Sequence, residues 1–281
     1  MKKGINIWSF PSEMKITDCI QMAKNAGFDG IELALNESGE LSLESSETEI
    51  RQIKNIAQDA GIALTSLASG LYWSYSLTSE LPAIRAKARS IVKKQLETAA
   101  ILGVDTILVV PGAVGVDFIS DSEIVPYDRV YDRAMEALTE LSSEAEALKI
   151  NIGIENVWNK FLLSPLEMRN FIDQIGSEYV GAYFDVGNVL HAGYPEHWIS
   201  ILGKRIKKVH FKDYRRQAGG LHGFVDLLAG DVDYPKVLQA LAEIGYDDFV
   251  IAEMIPPYTH YSTQIIYNTS ASMDVILGRK G

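Results

Sequence analysis

A junction recurs along this chain: an apolar helical stripe ends in a glycine, and an apolar strand begins within a few residues. It reads Asn25-Ala-Gly27-Phe-Asp-Gly-Ile-Glu-Leu33, Asp59-Ala-Gly61-Ile-Ala-Leu-Thr-Ser-Leu67, Ile101-Leu-Gly103-Val-Asp-Thr-Ile-Leu-Val109 and Glu243-Ile-Gly245-Tyr-Asp-Asp-Phe-Val-Ile251. Gly176 plays the same part before the strand that ends at Asp185. Glycine suits the left-handed position that closes a helix because it has no Cβ to clash there. Between junctions run helical stripes, the clearest being Val130, Ala134, Ala137, Leu138, Leu141, Ala145 and Leu148. Ser164-Pro-Leu-Glu167 predicts a helix start, with serine as N-cap, proline in the first turn and glutamate closing a capping box. Strands are expected near 4–8, 29–34, 62–67, 105–110, 150–155, 179–185, 206–211 and 248–253, each followed by a helix. Eight such alternations in 281 residues predict an α/β fold, a closed (β/α)8 TIM barrel spanning 1–281 as a single domain, since no linker or composition break divides the chain. Long strand-to-helix links at about 68–81, 111–125 and 212–232 gather on the rim where barrel sites lie.

Four consecutive strands of the second half end in residues that can hold a metal: Glu155, Asp185, His210 and Glu253. A lone carboxylate at a strand end is ordinarily a solvated loop residue or a helix cap. Four in succession, in mixed types, fit the converging C-terminal rim of a parallel barrel. Strand alternation aims Glu155, Gly153 and Asn151 at the axis and packs Ile152 and Ile154 under the helices; Val250 and Ala252 likewise face out. Three carboxylates and an imidazole suit one hard or borderline divalent ion, Mn²⁺ first, then Mg²⁺ or Co²⁺. Such an ion holding adjacent hydroxyl and carbonyl oxygens would acidify the neighbouring C–H and stabilise a cis-enediolate, with Glu155 and Glu253 removing and returning the proton from opposite faces.

Composition narrows the alternatives. A net charge of -11 argues against nucleic acid or an anionic membrane as partner. The single cysteine, Cys19, lies on a helical stripe, which predicts a buried thiol and suits a reducing, cytoplasmic setting. The apolar stretch after Lys3 is too short for a signal peptide, and no apolar run approaches a membrane span.

The segments Gly153-Ile-Glu155-Asn-Val-Trp-Asn159, Tyr183-Phe-Asp185-Val-Gly-Asn188, Val209-His210-Phe-Lys-Asp213, Gly230-Asp-Val-Asp233 and Ala252-Glu253 resemble the xylose isomerase-like sugar isomerase/epimerase superfamily. The nearest likeness is to ketose and ketose-phosphate 3-epimerases, including those called hexulose-phosphate isomerases. The resemblance implies a (β/α)8 barrel and one divalent metal, usually Mn²⁺, with Glu155, Asp185, His210 and Glu253 as ligands and the two glutamates as acid/base pair. It also implies that Arg216 contacts substrate oxygens. The chain departs from the ketose epimerases at Asn188, where they carry histidine, and at Trp158, where they carry glutamate. Asn188 can hydrogen-bond a hydroxyl but cannot carry a proton.

Further candidates surround these. Lys204, Arg205, Lys207, Lys208, Lys212, Arg215 and Arg216 are seven cations within thirteen residues; the first four suit a solvated strand entry, and Lys212, Arg215 and Arg216 could hold a substrate phosphate. Lys160 could add to them, or be only solvated. Trp8, at the end of the first strand, is expected to wall the sugar, whereas Tyr72, Trp73 and Tyr75 suit a sugar wall or a subunit contact equally. Glu32, ending the second strand, is expected either to hydrogen-bond substrate or to form a rim salt bridge. His191, His197, His222 and His260 have no partner at metal spacing, although His222 lies in a glycine-flanked loop that could reach a ligand. The sequence therefore predicts an epimerase or isomerase of a ketose or ketose phosphate, compatible with a homodimer or homotetramer. The competing readings are an inosose-type dehydratase on the same metal site, a non-enzymatic sugar-binding barrel, and an abasic-site endonuclease. The last is disfavoured because no histidine precedes His191 to build its three-metal cluster.

Overall fold

A computed structural model describes residues 1–255 and 258–279. Eight parallel strands close on themselves. They are β1 (Lys2–Asn6), β2 (Gly30–Ala34), β3 (Ala63–Ala68), β4 (Thr106–Val109), β5 (Asn151–Glu155), β6 (Val180–Asp185), β7 (Ile206–Phe211) and, after a two-stranded hairpin of β8 (Asp213–Tyr214) and β9 (Phe224–Val225), β10 (Phe249–Ala252). Around the barrel each is bonded to its sequence neighbour, and β10 closes onto β1. Helices α1 (Ile16–Asn25), α2 (Glu47–Ala60), α3 (Pro82–Leu102), α4 (Tyr127–Leu148) and α5 (Pro165–Ile175) follow the first five strands. Two helices, α6 (Val186–Leu190) and α7 (Pro195–Leu202), follow β6; α8 (Tyr234–Glu243) follows the hairpin and α9 (Gln264–Ile276) follows β10. Among the described residues no helix is long and apolar enough to cross a membrane.

The helices stop where the recurrent glycines predict. Gly27, Gly61, Gly103, Gly176 and Gly245 all have positive φ, and at the end of α4 Lys149 takes the same conformation at φ 57. Ser164 does cap α5, but Glu167 reaches past it to the backbone of Leu163 and to the Tyr127 hydroxyl, so the predicted capping box is incomplete. A full box forms instead at Ser46 and Glu49, at the start of α2.

Strand alternation divides the apolar residues into two cores. Ile152, Ile154, Val250 and Ala252 face the helices in the large outer core, whereas Ala34, Ala68, Leu108, Tyr183, Phe249 and Ile251 fill the barrel. Glycines make room for the larger of these. A Cβ on Gly30 would lie 2.7 Å from Phe249, and one on Gly153 would lie 3.0 Å from Tyr183. At the base, Lys208 is buried and paired with Asp105 and Asp248, which corrects the expectation of a solvated residue. Trp8 lies beyond β1, in a single 3-10 turn of Ile7–Ser9 that Asn6 caps through its side chain, so the first strand ends earlier than expected.

Candidate metal centre and active site

Glu155 and Asp185 are the last residues of β5 and β6. His210 is next to last in β7, and Glu253 directly follows β10, its amide still bonded to Phe211. Each of the four offers a ligand atom, and these atoms all lie within 4.8 Å of one another. Neighbouring groups hold them there. The Asn156 amide spans from β5 to β6, donating to the Asp185 carbonyl and accepting from the Asp185 amide, both at 2.8 Å. Asp185 caps α6 with Oδ1, which accepts from the Asn188 amide at 2.8 Å and leaves Oδ2 for other use.

Beneath the cluster, Glu32 is fully buried inside β2, not at a strand end. Its Oε2 lies 2.8 Å from His210 Nε2 and accepts from Asn6; its Oε1 accepts from Ser66 at 2.6 Å and from the Tyr183 hydroxyl. Of the two expectations for Glu32, the salt bridge is found, with His210 and below the rim, and Glu32 is not among the residues lining the cavity above. A carboxylate on Nε2 anchors that nitrogen as a donor and leaves Nδ1 facing Glu253 and Asp185, where a bound cation would take the place of the Nδ1 proton.

Asp185 Oδ2, His210 Nδ1 and Glu253 Oε2 are buried without a hydrogen bond of sound geometry. Glu253 Oε2 does lie 3.1 Å from His210 Nδ1 and 2.6 Å from Lys212 Nζ, and Lys212 Nζ is 3.2 Å from Asp185 Oδ2. These are ion-pair contacts. Converging oxygen and nitrogen atoms left unbonded in a buried site fit a divalent cation. Burial pushes Glu155 up to about 8, with Glu253 and Asp185 adding to the rise and Lys212 opposing it. Burial acts to raise Glu253 as well, but Lys212 and His210 outweigh it and hold that group at about 2. For His210 burial acts downward, and the carboxylates of Glu32 and Glu253 raise it well above the usual imidazole range.

Above the cluster opens a cavity of about 640 Å³, with Glu155, Glu253, Asn188 and Lys212 at its floor and Trp8 on its wall. Asn188 turns its amide toward Glu155 at 3.4 Å and toward the Asn156 carbonyl at 3.1 Å. Trp158 lines the cavity too, its indole donating to the Asn188 carbonyl at 2.9 Å. Arg216 does not line it. Its guanidinium sits 4.5 Å from the Tyr194 ring centre and donates to the Gly193 carbonyl, outside the lining where a substrate contact is expected. The physical reason is Asp213, which accepts from the amides of Tyr214, Leu228, Gly230 and Val232 and so folds the segment after β7 back into the hairpin. Of the third-loop aromatics, Trp73 lines the cavity, Tyr72 is buried against Gln95, and Tyr75 bonds Glu37. His222 lines the cavity as well. Asn156 and Asp213 were missed as organisers of the site; an Asn directly after one ligand and an Asp three residues after another were the available signals.

Residues 20–270 match the xylose isomerase-like TIM barrel family. The L-ribulose-5-phosphate 3-epimerase UlaE of Escherichia coli is 23% identical over 278 residues, covering 90% of this chain and 88% of that one. A D-psicose 3-epimerase from Clostridium cellulolyticum H10, solved with D-tagatose, superposes with a TM-score of 0.80 at 19% identity, covering 99% of both chains. The 3-keto-D-glucoside 4-epimerase YcjR from E. coli superposes with a TM-score of 0.76 at 14% identity, again over 99% of each chain. At these identities the two structures establish the shared fold.

Proposed function

Because the chain belongs to the xylose isomerase-like TIM barrel family, we propose that it is a divalent-metal-dependent epimerase of a keto-sugar, moving a proton off and onto a carbon beside the carbonyl. The observation that carries this reading is that Glu155 and Glu253 open onto one cavity from strands separated by β6 and β7. Two carboxylates on opposite sides of a bound carbon are what inversion at that carbon requires. The two are unlike groups before a cation enters: Lys212 and His210 keep Glu253 ionised, whereas burial favours a proton on Glu155 that a bound cation would displace. The relatives' names, as 3- and 4-epimerases of keto-sugars, agree with that reaction type.

Glu155, Asp185, His210 and Glu253 would hold the cation, with Mn²⁺ the best match to the donor set and Mg²⁺ or Co²⁺ as alternatives. When bound, such an ion polarises a carbonyl and makes the adjacent C–H more acidic. Asn188, beside Glu155, is suited to hold a substrate hydroxyl, and Trp8 to cover a sugar face. Lys212, anchored on Glu253 and Asp185, contributes positive charge at the floor. The test is incorporation of solvent deuterium into a keto-sugar panel by the manganese-loaded protein. Glu155→Gln and Glu253→Gln should each lower exchange by about 10²- to 10⁴-fold. Undiminished exchange in either variant, or loss of water in place of isomer formation, would remove the reading.

A further inference from the structure

The cavity above the cluster has two unlike ends, and the outer one bears on what the substrate carries; this step rests on the epimerase reading above. The floor is polar and charged, whereas the wall leading outward is carbon, from Trp8, Trp73, Phe118, Trp158, Phe224 and Ile255. On one side Trp73 and Phe118, from the loops after β3 and β4, meet edge to face with centres 5.1 Å apart. On the other, Trp158 and Phe224 pack at 5.2 Å. Phe118 is 40% exposed and Ile255 44%, so this apolar surface stands open to water. It would gain by being covered.

A phosphate placed in this outer half would need paired cations or directed N–H donors. The cations that the sequence offers are engaged elsewhere. Arg215 donates to the Ala229 carbonyl at 2.8 Å and Arg216 stacks on Tyr194, and neither lines the cavity; Lys160, 2.5 Å from Asp117, lines the adjoining cavity on the far side of Trp158 and Asn188. Lys212 does line it, but its ammonium is held by Glu253 and Asp185. Among the described residues that leaves His222 as the remaining basic side chain of the lining, a single exposed imidazole at the outer edge. The cavity, about 640 Å³, lies in the range that accommodates ligands larger than a single small group.

We infer that the substrate is a neutral keto-sugar bearing an apolar substituent, an aryl or alkyl keto-glycoside, and not a sugar phosphate. The sugar occupies the polar floor, and the substituent lies between the Trp73–Phe118 pair and the Trp158–Phe224 pair. Epimerisation moves only a proton, so the bond to the substituent is neither made nor broken.

The test is calorimetric titration of the manganese-loaded full chain with a phenyl keto-glucoside, the matching free keto-sugar and its 6-phosphate. The phenyl compound should bind about tenfold or more tighter than the free sugar, from the apolar area it buries, and the phosphate no tighter than the free sugar. Trp73→Ala and Phe118→Ala should each remove most of that advantage, read as the ratio of phenyl-compound to free-sugar affinity. A phosphate that binds tightest overturns the inference, as does a phenyl advantage that survives both substitutions. Deuterium exchange on the same three compounds keeps the two readings apart. The stated binding order without exchange on any compound supports the substrate class and removes epimerisation, whereas exchange confined to the phosphate removes the class and leaves epimerisation standing.

Discussion

Replacing Glu32 by glutamine tests whether the layer beneath the cluster sets metal affinity. The wild-type carboxylate is fully buried and faces four donors: His210 Nε2 at 2.8 Å, Ser66 Oγ at 2.6 Å, the Asn6 amide and the Tyr183 hydroxyl. An ionised carboxylate can accept from all four, but a glutamine of equal volume cannot. If its NH₂ faces Ser66 and Tyr183, those hydroxyls must turn and become acceptors. If it faces His210, two N–H groups oppose each other and the imidazole loses its anchor. Either arrangement weakens the bond that aims Nδ1 into the cluster. Loss of such a partner typically costs about 10- to 100-fold in metal affinity, or about 1.4–2.8 kcal/mol. Competition for Mn²⁺ against a chromophoric chelator would measure this, with circular dichroism and melting as controls for folding. Glu32→Ala should lose affinity similarly and also melt lower, since it leaves a void. A folded Glu32→Gln protein with unchanged Mn²⁺ affinity would refute the reasoning.

Below pH 8 a proton competes with the cation for Glu155, whose pKa burial raises to about 8. The Kd for Mn²⁺ should therefore weaken by up to about tenfold per pH unit on the acid side and level off on the alkaline side; a profile flat across that pH would contradict the placement of Glu155 in the ligand set. Gly30→Ala would bring a methyl to 2.4 Å from Thr65 and 2.7 Å from Phe249, and should cost about 1–3 kcal/mol by overpacking, read as a lower denaturant midpoint at unchanged slope. Cys19 is 1% exposed, and burial, reinforced by Asp18 and Glu40, pushes its thiol up to about 12. A thiol reagent at mildly alkaline pH should label it only after denaturation, and rapid labelling of the native protein would show the α1 packing to be wrong. Saturating Mn²⁺ at about 100 times its Kd should stabilise the fold by about 2.7 kcal/mol, seen as a higher melting temperature that chelator reverses.

The barrel was legible because its signals are local. Each glycine after a helical stripe marks a helix end through one residue's φ, and strand periodicity separates Ile152 and Ile154 from Gly153 and Glu155 without knowledge of any neighbour. Glu32 marks where such reasoning stops. Its depth below the rim depends on the stagger between β2 and the strands across the barrel, which no single strand records. The placement of Arg216 is hidden for a related reason. Counting six residues from His210 assumes a chain that continues over the rim, whereas Asp213 gathers amides from Leu228, Gly230 and Val232, far ahead in sequence, and reverses it. The charge of Lys212 is visible in the sequence and suits a phosphate, whereas its closeness to Glu253 and Asp185 is not visible there.

The ladder that carries Glu155, Asp185 and His210 is bonded strand to strand around the whole barrel, whereas Trp73, Phe118 and Phe224 sit on excursions outside it. Reaction and selectivity are thus inherited on separate parts of the polypeptide. A lineage can exchange its excursions, or an engineer can graft them, and so retarget the catalyst while its chemistry stays in place.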